Sequence, residues 1–227
     1  MIINHKRKFV FVCVPKTGST TLSKHFIKID NLPIERSWLK ARWHWPMFQI
    51  QKHYKLPLKD FYTFAYHRNP WDRMISSWIE FTNDHGHLIT WSQALKDQYK
   101  TFEDFILNLQ SSKWANEIHF RPTCYYTHLN GEQIVNHIAR YENWQTETKS
   151  ILEIIELDIN HMEEKQYRKT KRDSDYRKYY TNDKMIEAVQ NHFKIDIATF
   201  GDKFATKALA KKLNVPTLKT TKKMNDL

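Results

Sequence analysis

The stretch KFVFVCVPKTGSTTLSKHFIKI, residues 8–29, decides the fold. Its first part, residues 8–14, is a short run of β-branched and aromatic residues, which predicts a buried strand. Residues 19–29 then have apolar side chains at helical spacing, beginning with Leu22 and Phe26. The start of the chain therefore predicts a strand, a tight loop and a helix in direct succession.

The same order of elements recurs further along the chain. Residues 61–67 (FYTFAYH) predict a second strand, and residues 70–81 predict a helix directly after it. A third strand is expected at 134–141, with helices at about 143–157 and 182–193, each preceded by an asparagine that can cap it. Alternating strands and helices predict an α/β fold with a central parallel sheet flanked by helices on both faces.

Length and charge favour one folded domain with anionic partners. The 227 residues are 41% hydrophobic and 14% aromatic, which excludes a disordered chain. We expect one domain over residues 1–204 and a Lys-rich, mobile tail over 205–227. The tail holds six lysines against one acidic residue, so +6 of the formal net charge of +11 belongs to the rest of the chain.

Several protein classes are disfavoured by what the sequence lacks. Cys13 and Cys124 form neither a disulfide framework nor a CxxC metal motif, and Asp-His-Gly-His at 84–87 has no further ligands at metal spacing. The apolar run at 9–14 is too short for a signal peptide, and no stretch approaches the roughly 18 apolar residues of a membrane span. We therefore expect a cytoplasmic protein without a bound metal.

The first candidate motif is PKTGSTT, which lies between the first predicted strand and the first helix. Backbone N–H groups at the start of a helix bind anions, a glycine permits close approach, and lysine and hydroxyl side chains add donors. The alternative is an ordinary strand-to-helix turn capped by a hydroxyl. The candidate anion-binding residues are Pro15, Lys16, Thr17, Gly18, Ser19, Thr20 and Thr21.

The second candidate motif is RNPWDRMIS, residues 68–76, at the end of the second predicted strand. Arg68 offers a bidentate guanidinium and Ser76 a hydroxyl two helical turns later, which suits a second phosphate. Alternatively, Arg68 and Arg73 only form ion pairs with Asp72 or other acids around the helix start.

The small number and wide spacing of the glycines argue against the common nucleotide-binding loops. Lys16 precedes the only glycine nearby, Gly18, whereas a Walker A loop needs its lysine after a second glycine. The remaining glycines, Gly86, Gly131 and Gly201, are too far apart for GxGxxG. This argues against a Rossmann dehydrogenase and a standard P-loop kinase.

Together the two motifs resemble the PAPS-dependent sulfotransferases (PAPS is 3'-phosphoadenosine-5'-phosphosulfate), in particular the branch that contains the carbohydrate sulfotransferases of sulfotransferase family 2. PKTGST is similar to that family's 5'-phosphosulfate loop and RNPWDRMIS to its 3'-phosphate motif, in the same order. The segments HFRPTCYY at 119–126 and IARYENW at 138–144 are loosely similar as well. The resemblance implies a P-loop-NTPase-like sulfotransferase fold, with PAPS as donor and PAP as product, and we expect the hydroxyl acceptor to be a saccharide.

By this resemblance, Lys16 and the backbone of residues 17–20 would hold the 5'-phosphosulfate, while Arg68 and Ser76 would hold the 3'-phosphate. Arg172 and Arg177 are weaker candidates for closing over the nucleotide, since a solvated basic loop is the better explanation of these residues.

The resemblance also implies a histidine base between the two phosphate motifs. We choose His44, whose neutral imidazole would accept the hydroxyl proton while Lys16 stabilises charge on the leaving phosphate. His53, His67 and His119 are competing candidates. His119 and Arg121 are candidates for binding the acceptor.

Two residues depart from the family's pattern. His67 precedes Arg68 where similar sequences carry an apolar residue, and Thr123 follows Arg-Pro where many carry glutamine. The second departure puts an acceptor role for that loop in doubt. Two other function classes remain open: a basic nucleic-acid-binding protein, although we expect no nucleic-acid partner, and a nucleotide kinase with an atypical loop.

Overall fold

A computed structural model describes residues 1–28, 34–36, 43–82, 89–158 and 172–204. Its strands are β1 (Ile2–Asn4), β2 (Phe9–Val12), β3 (Ile34–Arg36), β4 (Tyr62–His67), β5 (His128–Leu129), β6 (Glu132–Gln133) and β7 (His137–Arg140). Its helices are α1 (Ser19–Lys28), α2 (Met47–Tyr54), α3 (Pro70–Thr82), α4 (Ile89–Gln98), α5 (Phe102–Asn108), α6 (Thr123–Thr127), α7 (Trp144–Ile154), α8 (Asp183–His192) and α9 (Lys194–Phe200).

The main sheet has five strands in the order β3-β1-β2-β4-β7. Its centre is parallel, because β2 pairs with β4 and β4 pairs with β7 in parallel, with Phe11 opposite Phe64 and Phe64 opposite His137. The predicted α/β class and the parallel centre are thus confirmed.

The amino-terminal side of the sheet differs from the prediction. Strand β1 pairs antiparallel with both β2 and β3, so the sheet is mixed at this side. The three residues Ile2–Asn4 carry too short an apolar signal to predict a strand alone, and they are stabilised by pairing with β2. The third parallel strand is also shorter than predicted, at His137–Arg140.

Helices cover both faces of the sheet, as the alternation of side chains along β2 requires. On one face α1 and α7 pack on the strands, and the buried residues include Phe9, Phe11, Cys13, Leu22, Phe26, Phe64, Tyr66, Ile151 and Leu152. On the other face α2 and α6 pack on them, and the buried residues include Val10, Val12, Val14, Met47, Ile50, Ala65 and Tyr126. Both faces of the central strands are therefore buried, as is usual for parallel sheets.

A third core lies among the helices α3, α4, α5 and α8. The Trp78 ring stacks on Phe105 at 5.1 Å, and Phe81 and Phe120 are fully buried. The start of α8 is capped by Asn182, whose side chain accepts from the N–H of Met185 at 3.1 Å, as predicted. This core packs α3 against α4, α5 and α8.

Three predicted features lie outside the described residues: the loop at 84–87, most of the polar stretch at 163–178, and the Lys-rich tail at 205–227. Of the helices that the structure describes, none combines the length and apolarity that a membrane span needs. Because β2 and β4 are parallel neighbours, the residues after both strands meet at one edge of the sheet.

Candidate active site

The loop after β2 is a tight turn held by its own hydrogen bonds. Thr17 Oγ1 donates to the carbonyl oxygen of Val14 at 2.9 Å, and both Lys16 (φ 63°) and Gly18 (φ 79°) adopt left-handed backbone conformations. The first i to i−4 hydrogen bond of α1 runs from Leu22 N to Gly18 O at 3.2 Å. The N–H groups at the start of α1 therefore point out of the helix, where an anion can accept from them.

Gly18 lies directly against an aromatic wall. A Cβ atom on this residue would lie 2.6 Å and 2.8 Å from ring carbons of Trp144 and 3.2 Å from Tyr141. The Tyr141 ring also receives the guanidinium of Arg68, whose Cζ lies 4.4 Å from the ring centroid. Tyr141 thus lies beside both the loop after β2 and Arg68 of the second motif.

Lys16 forms an ion pair that the sequence analysis missed. Its Nζ lies 3.1 Å from Oε2 of Glu80, and both side chains are mostly buried. Glu80 lies four residues after Ser76, so these two residues lie on one side of α3, while Arg68 lies just before the helix, at the end of β4. The four-residue spacing between Ser76 and Glu80 is the sequence signal that could have identified Glu80. The ion pair with Lys16 shows that this side of α3 faces the loop.

Arg68 is buried at the end of β4 and reaches the loop itself. Its Nη1 donates to the carbonyl oxygen of Lys16 at 2.9 Å and lies 3.5 Å from Ser76 Oγ. Its Nε donates to Oδ2 of Asp72 at 2.7 Å. Burial lowers the pKa of the guanidinium, but the charge and hydrogen bond of Asp72, together with Tyr141 and Glu142, outweigh this and leave the pKa above its ordinary value.

The two weaker arginine candidates have different partners. Arg172 donates from Nη2 to Oδ1 of Asp72 and so joins the Arg68 cluster. Arg177 instead makes two hydrogen bonds to the carboxylate of Asp175, at 2.6 and 2.8 Å. The structure therefore places Arg172, but not Arg177, in contact with the second motif.

His44 lies beside the loop after β2. Its Nδ1 is 2.6 Å from the carbonyl oxygen of Cys13, at the end of β2. Because a carbonyl oxygen only accepts, Nδ1 carries the proton and Nε2 carries the lone pair. Burial lowers the pKa of His44 well below its ordinary value, His119 lowers it further, and the hydrogen bond to Cys13 partly opposes both. The imidazole is therefore neutral at pH 7.

His119 is the nearest ring to His44 in the described site, with centroids 5.3 Å apart. Its Nδ1 lies 3.2 Å from both carboxylate oxygens of Glu117, and Oε2 of Glu117 also accepts from the backbone N–H of His119 at 2.7 Å. Helix α3 supports it from below, since Ser77 Oγ donates to the His119 carbonyl oxygen and Phe81 packs on the ring at 5.0 Å. The structure thus brings His44 and His119 together.

Arg121 is engaged away from this pair of rings. Its Nε donates to the carbonyl oxygen of Asn116 at 2.7 Å, and its guanidinium lies over the Tyr125 ring at 4.2 Å. His53 lies on α2 with its ring against Trp45 and Tyr54. Neither contact connects these residues with the loop after β2.

His67 uses both ring nitrogens in structural hydrogen bonds. Its Nε2 lies 2.6 Å from Oδ2 of Asp202, and its Nδ1 lies 2.9 Å from Thr123 Oγ1. Thr123 Oγ1 also accepts from Arg73 at 2.9 Å, and Arg73 lies near Asp196 rather than Asp72. A fully buried histidine with both nitrogens committed has no position for a substrate proton, so His67 is excluded as the base.

Metal ligands are not assembled in the part of the chain that the structure describes. No group of three or more histidine, cysteine, aspartate or glutamate side chains there could hold a metal ion. The groups that surround the loop after β2 are cationic side chains, backbone N–H groups and imidazoles.

A sheet with a parallel centre, a tight turn before α1 and a buried arginine at the next strand end are typical of the class of nucleotide- and phosphate-binding α/β proteins. Within that class, the chain belongs to the sulfotransferase family, because the family model described as "Sulfotransferase family" matches residues 1–204. The chain is thus a sulfotransferase. Comparisons with the curated proteins and with solved structures found no significant match.

Proposed function

We propose that the enzyme transfers a sulfuryl group from PAPS to a hydroxyl group of a saccharide. In this proposal the residues Pro15 to Thr21 hold the 5'-phosphosulfate, with Lys16 as the cation, and Arg68 and Ser76 hold the 3'-phosphate. The observation that carries the proposal is the hydrogen bond from Arg68 Nη1 to the Lys16 carbonyl oxygen at 2.9 Å. It brings the two motifs, 52 residues apart in the sequence, into direct contact.

The geometry of His44 supports its role as the general base. In an in-line transfer the acceptor oxygen bonds to sulfur while the bond between sulfur and the leaving phosphate oxygen breaks. The hydroxyl proton would pass to Nε2 of His44, which carries the lone pair because Nδ1 donates to Cys13. A neutral imidazole at pH 7 is the form that this step requires.

Lys16 and α1 would stabilise the negative charge that develops on the leaving phosphate. The Nζ of Lys16 is paired with Glu80 at 3.1 Å, so donor binding requires the ammonium to share or exchange this partner. The N–H groups at the start of α1 need no such rearrangement, because the helix fixes them in place.

The acceptor would enter over His44 and His119. His119 is oriented by Glu117, and it lies close enough to His44 to contact the same sugar ring. A saccharide acceptor rests on the resemblance of the two motifs to the carbohydrate branch of the family. Arg121 would contribute only if it left Asn116 to bind an acidic group on that acceptor.

Transfer of labelled sulfate from PAPS to a panel of saccharides tests this proposal. We expect His44→Ala to lower kcat by about 10²-fold or more while PAP affinity is retained, since general bases typically contribute that much. His53→Ala is the matched control and should remain near wild type. Transfer to phenols or peptides but not to saccharides would overturn the acceptor assignment, and retained turnover in His44→Ala would overturn the base.

A further inference from the structure

Asp72 joins two arginines that are far apart in the sequence. Its Oδ2 accepts from Nε of Arg68 at 2.7 Å, and its Oδ1 accepts from Nη2 of Arg172. The side chains of Arg68, Asp72 and Arg172 are 9%, 16% and 10% exposed, so the bridge is largely shielded from solvent. Each oxygen of the carboxylate therefore fixes the position of one guanidinium group.

The bridge leaves both cationic charge and N–H donors for a further anion. Two guanidinium groups and one carboxylate have a surplus of one positive charge. A guanidinium has five N–H donors, and Arg172 commits one to Asp72 and one to the Asp173 carbonyl oxygen at 3.2 Å. The hydroxyl of Ser76 lies beside the same cluster, 3.5 Å from Arg68 Nη1. A phosphomonoester, with a charge between −1 and −2 at pH 7 and three acceptor oxygens, matches this set of donors.

The position of Asp72 is fixed by the helix that bears it. Asp72 lies in the first turn of α3, where its backbone N–H is 3.4 Å from Oδ1 of Asn69. A carboxylate in the first turn of a helix interacts favourably with the helix dipole, which helps to hold the group in place. Its two oxygens are thus directed from a rigid element towards the two arginines.

We propose that Asp72 is a positioning residue, which holds Arg68 and Arg172 side by side and so makes the enzyme select a nucleotide that carries a phosphate on the 3' ribose hydroxyl. This inference rests on the proposed function, because it assigns the cluster to the 3' end of PAPS. It predicts a role for an acidic residue beside an anion site, where charge alone would predict repulsion.

The test compares binding of PAP and of AMP, which lacks the 3'-phosphate, by titration calorimetry. In Asp72→Asn the amide has one acceptor oxygen, so it can hold only one of the two guanidinium groups. We expect its PAP affinity to fall about tenfold, which corresponds to the loss of roughly one charge-assisted hydrogen bond. Its AMP affinity should stay within about twofold of wild type. A protein whose fold alone was weakened would lose affinity for both nucleotides.

Two further variants keep the inference testable. Arg172→Gln removes the second arginine of the cluster. It should reduce the preference of the enzyme for PAP over AMP in the same way. Glu147→Gln changes another part-buried carboxylate, one that lies 3.1 Å from His137, and should leave both affinities unchanged. Unchanged or tighter PAP binding in Asp72→Asn, or an unchanged preference in Arg172→Gln, would overturn the inference. Failure of wild type to prefer PAP over AMP would instead contradict the proposed function.

Discussion

His67 and Thr123, the two residues at which this chain departs from the pattern of similar sulfotransferases, are hydrogen bonded to each other, with Nδ1 and Oγ1 2.9 Å apart. The contact ties the end of β4 to the start of α6. Thr123 is fully buried and its backbone N–H donates to Asp196 at 2.6 Å. These contacts give Thr123 a structural role within the fold, and none of them involves an acceptor.

We expect the two departures to be energetically coupled. His67→Leu and Thr123→Val should each lower the free energy of unfolding by about 1–3 kcal/mol, because each leaves a buried partner without its hydrogen bond. The double variant should cost less than the sum of the single variants, by about 0.5 kcal/mol or more. Urea denaturation measures all three, and additive effects would show that the pair is not coupled.

Gly18 should be intolerant of a side chain for a reason beyond its backbone conformation. Gly18→Ala places Cβ within 2.8 Å of two Trp144 ring carbons, while Gly131→Ala has a similar φ of +86° and no atom within 4 Å. Both variants carry the cost of a left-handed alanine, about 1 kcal/mol or more. We expect Gly18→Ala to lose a further 1–3 kcal/mol, roughly the cost of overpacking. Equal losses in thermal denaturation would contradict the close approach of Trp144.

Glu80 should weaken donor binding in the wild-type enzyme. Its carboxylate lies 3.1 Å from Lys16 Nζ, so Glu80→Gln weakens this ion pair and removes a negative charge beside the proposed anion site. We expect PAP affinity to rise by roughly three- to tenfold in calorimetry, with Glu147→Gln again as the control. A loss of affinity would mean that Glu80 orients Lys16 rather than competes for it.

His44 should make the fold sensitive to mild acid. Its pKa is lowered by burial and by His119, so between that pKa and about 6.5 the unfolded chain binds a proton that the folded chain does not. Stability therefore rises with pH in this window, and His44 contributes up to about 1.4 kcal/mol per pH unit. His44→Gln should reduce the slope of unfolding free energy below pH 6.5, while a change of the exposed His5 to Gln should not. An unchanged slope in His44→Gln would contradict the burial of this ring as a neutral group.

The parallel centre of the fold could be predicted because its signals are local. Residues 8–14 and 61–67 are apolar strands that end at a proline or an Arg-Asn-Pro turn, and each is followed by an amphipathic helix. Strand β1 could not be predicted in this way, since its three residues form a strand only through pairing with β2 and β3. Strand β1 is therefore determined by pairing with its neighbours rather than by its local sequence.

The candidate site was predictable where one motif contained its own chemistry, and not where partners came from distant segments. Lys16 and Arg68 lie in recognisable motifs, and the structure brings them together. The contact between Asp72 and Arg172 joins segments 100 residues apart, for which a single sequence has no signal. Glu80 shares a side of α3 with Ser76, and Glu117 lies two residues before His119, so their spacing in the sequence was a usable signal.

Thermal denaturation with PAP, Mg-ATP or a short oligonucleotide tests the central claim, that Lys16 and Arg68 form one site for a nucleotide with two phosphate ends. We predict that PAP at about 100 times its Kd raises the Tm by roughly 5–10 °C, and that Lys16→Ala and Arg68→Ala each reduce this shift. Mg-ATP and the oligonucleotide should have little effect. No stabilisation by PAP, or the same PAP shift in Arg68→Ala as in wild type, would contradict the account.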